Sequence, residues 1–131
     1  MTRIAVSVDV PDLAAGVQFY ASAFGFTRGA EPVPGVVVMQ AANTQLCLLQ
    51  KRAGSHPAPG CADERCYEPH WTPVHLDLHV ADFKAALARA LAAGAVREQL
   101  FESAGHGAVA FCRDPFGHGF CLIENRAPEP T

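Results

Sequence analysis

The chain has no excess of positive charge: ten Lys and Arg against thirteen Asp and Glu give a formal net charge of −3 over 131 residues. Without a basic surface to neutralise phosphates, nucleic acid is not an expected partner. No apolar run reaches the length that crosses a bilayer, so no membrane span is expected either. The opening MTRIAVSVDV lacks a signal-peptide core and cleavage pattern, which makes the cytoplasm the expected location. Cys-x-x-Cys is absent and five is an odd number of cysteines, a usage that fits reduced thiols better than a disulfide framework. What the chain has in quantity is apolar side chains, half of its residues, enough at this length for one soluble domain with a core.

The sequence is written twice. IAVSVDVPDLAAGVQFYASAFG reads against VHLDLHVADFKAALARALAAG, and QLCLLQ (45–50) against GFCLIE (119–124). With Asp12 set against Asp82, Ala5 stands opposite His75, Ser7 opposite Asp77 and Asp9 opposite His79. Between them run Val6, Val8 and Val10 in one copy and Leu76, Leu78 and Val80 in the other, the period-two pattern of half-buried strands. The aliphatic face needs a cover, which the following segments supply. Asp12 and Asp82 are N-cap residues for helices with Leu13, Val17, Tyr20 and Phe24, or Phe83, Leu87 and Leu91, on their core faces. Gly25 and Gly94 stop those helices. The opposite face, with Ser7 and Asp9 or His75, Asp77 and His79, is polar on strands expected to sit centrally, and so reads as the lining of a cavity.

Further strands follow each helix: GVVVMQ (35–40) and QLCLLQ in the first copy, AVAFCR (108–113) and GFCLIE in the second. Asp114-Pro115-Phe116-Gly117 carries the residues of a type I turn between the latter pair. TRGAEP (27–32) and AVREQL (95–100) are the expected third strands. The organisation is therefore a first module at 1–50, a Pro- and Gly-rich linker loop at 51–73, a second module at 74–126 and a tail at 127–131, all one structural domain. Within the linker, His56, Cys61, Cys66 and His70 could clip a zinc ion, but Cys-x4-Cys-x3-His is not a common zinc spacing and chance clustering in a polar loop is the simpler reading. Cys61 and Cys66 could pair if oxidised.

A tandem βαβββ unit carrying VPDLAAGVQFYASAFGF (10–26), HLDLHVADFKAALARALAAGA (75–95) and RDPFGHGFCLIE (113–124) resembles the vicinal-oxygen-chelate superfamily, over residues 4–125. That superfamily includes glyoxalase I, bleomycin-resistance proteins, extradiol dioxygenases and fosfomycin-resistance enzymes, and the chain looks most like its metal-poor glyoxalase-like members. The resemblance implies an α+β fold, two modules forming a curved mixed sheet around a cleft with helices on the convex face. It implies a homodimer, for which Trp71 and Tyr67 in the linker offer anchors. It also implies four metal-ligand positions, which fall here on Ala5, Cys47, His75 and Cys121. Alanine offers no donor and only His75 matches the usual ligand types, so the resident hard divalent ion is not expected.

Three uses of the polar face remain. One is binding of a small organic ligand without metal, anchored by His75 and Asp77 beside Ser7 and Trp71, with Cys47 and Cys121 in the lining. The alternative is a divalent-metal-dependent lyase or dioxygenase-like enzyme with Cys47, His75 and Cys121 as a Cys2His site. A third is metal-free catalysis with His75 as general base near Asp77 or Asp9, although no second catalytic group stands out. The expected protein is the first of these, with no cofactor and a small molecule as its partner. Against it stand plainer roles: free cysteines as small buried apolar residues, His75 bracing Asp77, and Trp71 packing the linker on the sheet edge.

Overall fold

The computed structural model describes residues 1–103, 105 and 107–125. The expected tail at 127–131 lies outside them. The chain divides into two compact units, Met1–Glu68 and a second beginning at Pro69. In the first, β1 (Ala5–Val10) leads into α1 (Leu13–Phe24), followed by β2 (Thr27–Arg28), β3 (Val36–Gln40) and β4 (Gln45–Gln50). The second repeats this as β5 (Leu76–Val80), α2 (Phe83–Ala93), β6 (Val96–Ser103), β7 (Gly107–Arg113) and β8 (Gly119–Glu124). Each unit is a mixed four-stranded sheet with one helix, in the orders β1-β4-β3-β2 and β5-β8-β7-β6. The α+β class and the tandem βαβββ topology are therefore as the repeat implies. Within its own unit, each opening strand is a sheet edge and pairs in parallel with the closing strand.

Both helices begin as their sequences require. Asp12 accepts from the Ala15 N–H at 3.2 Å, and Asp82 from the Ala85 N–H at 3.1 Å, each satisfying an amide that the first helical turn leaves free. Gly25 closes α1 at φ 73°, in the left-handed region that a side chain disfavours. The core of the first unit joins Phe19, Tyr20 and Ala23 of α1 to Val37, Met39, Leu46 and Leu48 of the sheet, all buried. In the second, Phe83 and Ala90 of α2 cover Ala108, Ala110, Cys112, Phe120 and Leu122. Leu91 departs from its expected core role and is exposed, because α2 presents Ala90 rather than Leu91 to the sheet.

The third strands differ from expectation in opposite directions. β2 covers only Thr27 and Arg28 of TRGAEP. Gly29 N–H and Ala30 C=O still bond to Val38, but Pro32 and Pro34 lack amide hydrogens and end the ladder. β6 instead runs past AVREQL to Ser103, pairing with β7 through Ser103↔Gly107 and bulging between Arg97 and Gln99.

The segment expected as a plain linker is pinned at both ends. Arg65 Nε donates to Asp9 at 2.7 Å, its Nη1 donates to the Ser55 hydroxyl and the His56 carbonyl, and Tyr67 donates to the Lys51 carbonyl. Further on, His70 N–H donates to the Gly117 carbonyl at 3.0 Å and His70 bridges to His118, laying the chain alongside the start of β8. Tyr67 and Trp71, expected as anchors between chains, each make a hydrogen bond within their own unit, to the Lys51 carbonyl and to Glu98.

Candidate ligand and metal site

Alternation along β5 puts His75, Asp77 and His79 on the face away from α2. Asp77 is in register with Cys121 of β8, which is in turn opposite Phe111 of β7. The carboxylate is shared: His75 Nδ1 lies 3.2 Å from Asp77 Oδ1, and the Cys121 thiol donates to the same side chain. The ligand atoms of His75, Asp77 and Cys121 all lie within 4.8 Å of one another, the group of this kind found among the described residues. His75 and Asp77 are exposed, whereas Cys121 is buried at the floor.

Burial, followed by the Asp77 charge and the hydrogen bond to Asp77, pushes the Cys121 thiol up to about 11. Burial first, then the neighbouring Cys121, takes Cys112 to about 11 as well. Both are protonated at neutral pH and poor nucleophiles. Brief treatment with iodoacetamide at neutral pH should label exposed Cys66 and leave Cys112 and Cys121 unmodified in peptide mapping. The linked stability has a definite sign. From the ordinary 9.0 to about 11, the unfolded thiols release protons that the folded ones keep, so stability is complete below that window and falls as pH rises through it. Cys121→Ser should flatten the fall in urea midpoint between those limits; an unchanged slope would assign it to other groups.

Trp71 completes the face. Its indole N–H donates to Glu98 Oε1 at 2.8 Å, and Glu98 is paired with Arg113 at 3.2 Å. The ring meets His75 edge-on at 5.5 Å between centroids and tilts against Phe111 at 5.7 Å, with Phe101 continuing the aromatic row at 5.6 Å from Phe111.

The first unit holds the corresponding positions with different chemistry. Ser7 is in register with Cys47, as Asp77 is with Cys121, and Ala5 with Gln45. Asp9, matching His79, is bound by Arg65. Of the residues singled out in the sequence, the structure brings together His75, Asp77, Cys121 and Trp71 in the second unit, and Ser7 with Cys47 in the first. The His56, Cys61, Cys66 and His70 stretch forms no converging ligand group among the described residues. His56 Nδ1 instead contacts the Asp63 carbonyl, Cys61 the Asp63 carboxylate, and both cysteines are free. Sequence reasoning missed Asp77 as a member of the donor group, and missed Glu98 and Gly119. The signal for Asp77 was its place in the same alternation as His75, in register with a cysteine.

The chain belongs to the glyoxalase-like family, whose domain model matches residues 5–123, and through it to the vicinal-oxygen-chelate superfamily. A search of curated proteins found no match. Among solved structures, hypothetical protein SA1046 from S. aureus is similar at 21% identity and TM-score 0.69, over 95% of this chain and 98% of that one. Lactoylglutathione lyase from Agrobacterium tumefaciens is similar at 17% identity and TM-score 0.65, over 95% and 93%. The fosfomycin resistance protein FosX from Listeria monocytogenes reaches TM-score 0.73 at 15% identity, over 96% and 94%, and a mutant of it is complexed with Mn(II) and a dihydroxypropylphosphonic acid. At these identities the likeness establishes the fold.

Of this donor set, His75 and Asp77 match a hard divalent ion of the manganese kind and the Cys121 thiol does not. Such ions prefer oxygen and imidazole ligands. Here the third donor, Cys121, is a buried thiol that is protonated at neutral pH. The mixture of imidazole, carboxylate and sulfur in the second unit suits zinc better, provided the thiol loses its proton to the metal.

Proposed function

We propose that this glyoxalase-like protein binds a small organic molecule on the His75, Asp77 and Trp71 face, without the hard divalent ion of metal-dependent relatives. The observation that carries this reading is the Asp77 carboxylate, which ties His75 and the protonated Cys121 thiol into one hydrogen-bonded group beside an aromatic row. Polar anchors next to apolar, flat walls are the usual make-up of small-molecule sites. Such binding asks for no activated nucleophile, and a thiol held at about 11 is not one.

A second reading is favoured by the 4.8 Å convergence of three potential ligands: a zinc-type centre serving lyase or dioxygenase-like chemistry. Protein purified without chelator separates the two. The expected result is substoichiometric metal, no thiolate-to-Co(II) charge-transfer absorption on cobalt addition, and a raised Tm with members of a panel of antibiotics and α-keto compounds. One equivalent of zinc or cobalt, retained in Cys47→Ser but lost in Cys121→Ser, would overturn the metal-free reading.

A further inference from the structure

Trp71 is the single tryptophan of the chain and is still 41% exposed. It is nevertheless held from several sides. A Cβ built on Gly119 would lie 2.5 Å from Cδ2 and Cε3 and 2.7 Å from Cε2 of the indole. Those three atoms surround the ring fusion, so one face of the indole rests flat on the Gly119 backbone. The N–H is fixed by Glu98, itself fixed by Arg113, and the rings of His75 and Phe111 flank the indole at 5.5 and 5.7 Å between centroids. The His70 bridge to His118 delivers the ring to this spot. A side chain that merely filled a gap would not need its hydrogen bond, its floor and its flanks all specified while so much apolar ring faces water.

We infer that Trp71 is a specificity-determining shelf, selecting a flat unsaturated ring that carries a cationic or strongly hydrogen-bond-donating group for Asp77. This rests on the ligand-binding reading above and names its substrate class. Flat rings stack on an indole face, and cations are attracted to it. The charges agree: two carboxylates, Asp77 and Glu98, accompany one guanidinium, Arg113, and the Asp77 side chain keeps 46% of its surface exposed. Glu98 has both oxygens engaged, by the indole N–H and by Arg113. Asp77, although it also holds His75 and the Cys121 thiol, is the more exposed carboxylate, 46% against 30%, and so the better placed to accept from a ligand.

Because there is one tryptophan, its fluorescence reports on the shelf directly. Three probes divide the claim: benzamidine is flat and cationic, cyclohexanecarboxamidine is cationic without a flat ring, and benzamide is flat and neutral. Benzamidine should quench Trp71 saturably and bind about tenfold tighter than either of the others, by calorimetry as well as fluorescence. Trp71→Phe should keep benzamidine affinity within about threefold, while Trp71→Leu and Asp77→Asn each lose about tenfold, with circular dichroism and Tm verifying that each variant folds. Equal affinity for the two amidines, equal affinity of Trp71→Phe and Trp71→Leu, or no saturable benzamidine binding would each overturn the shelf. If a compound from the thermal-shift panel binds while benzamidine does not, the ligand-binding reading stands and the flat-cation class alone falls.

Discussion

Asp114→Ala should lower stability by about 3 kcal/mol, the largest effect expected of a polar substitution among the described residues. Asp114 is 2% exposed, and its Oδ1 accepts from the N–H groups of Phe116 at 2.8 Å and His118 at 3.0 Å. Its backbone closes the same turn, donating to the His118 carbonyl and accepting from Gly117. Hydrogen bonds to a charged acceptor contribute about 1.5–3 kcal/mol each, and deleting the acceptor leaves two amides in a buried setting. Taken at the lower end of that range, the two bonds together give about 3 kcal/mol. Asp114→Asn keeps an acceptor oxygen and should cost roughly half as much. Against a typical domain stability of about 5–15 kcal/mol, the alanine variant remains folded but with a clearly displaced urea midpoint. An alanine variant within about 0.5 kcal/mol of the parent would show that the turn holds without the side chain. The turn also fixes where β8 begins, and β8 carries both Gly119 and Cys121. The variant should therefore shift Trp71 fluorescence even under conditions where it is fully folded.

That turn was legible in the sequence because Asp-Pro-Phe-Gly is a local signal: the residue at each position determines the conformation of its neighbours. The caps at Asp12 and Asp82 were legible for the same reason. The strand register was legible from the repeat, since setting Asp12 against Asp82 places Ser7 and Asp77 alike, and the pairings Ser7↔Cys47 and Asp77↔Cys121 reproduce that equivalence. β6 was read short because its side chains are exposed along nearly its whole length, so no burial alternation marks where it ends. The linker cysteines and histidines were close in sequence, and proximity along a loop with Pro57 and Pro59 does not turn side chains toward one point. Half of the candidate site was visible: His75, Asp77 and Cys121 follow from alternation and repeat. Trp71 was visible as a residue and not as a wall, because what places it is a glycine far along the chain whose importance lies in having no side chain. Glu98 was hidden in the same way, as one charge among several on an exposed strand.

Gly119→Ala is the sharpest test of that placement, and a destabilisation of about 2–3 kcal/mol is expected from one added methyl group. Carbon atoms in contact sit about 3.5–4.0 Å apart, so a Cβ at 2.5 Å from the indole cannot coexist with the ring where it stands. The indole must move by roughly an ångström or more. Its bond to Glu98, worth about 1 kcal/mol, and its contacts with His75 and Phe111, about 0.5–1.5 kcal/mol each, are then weakened together. Alanine suits a strand at least as well as glycine, so backbone preference alone would make the change neutral or stabilising. The two causes therefore predict opposite signs, and the clash should win. Emission from Trp71 should move to longer wavelength as the ring gains solvent, and benzamidine affinity should fall with it. A double-mutant cycle isolates the cause: in a Trp71→Ala background, Gly119→Ala should cost nothing measurable, because the atom it would strike is gone. Should the penalty persist in that background, the glycine would be required by the strand itself and not by the indole resting on it.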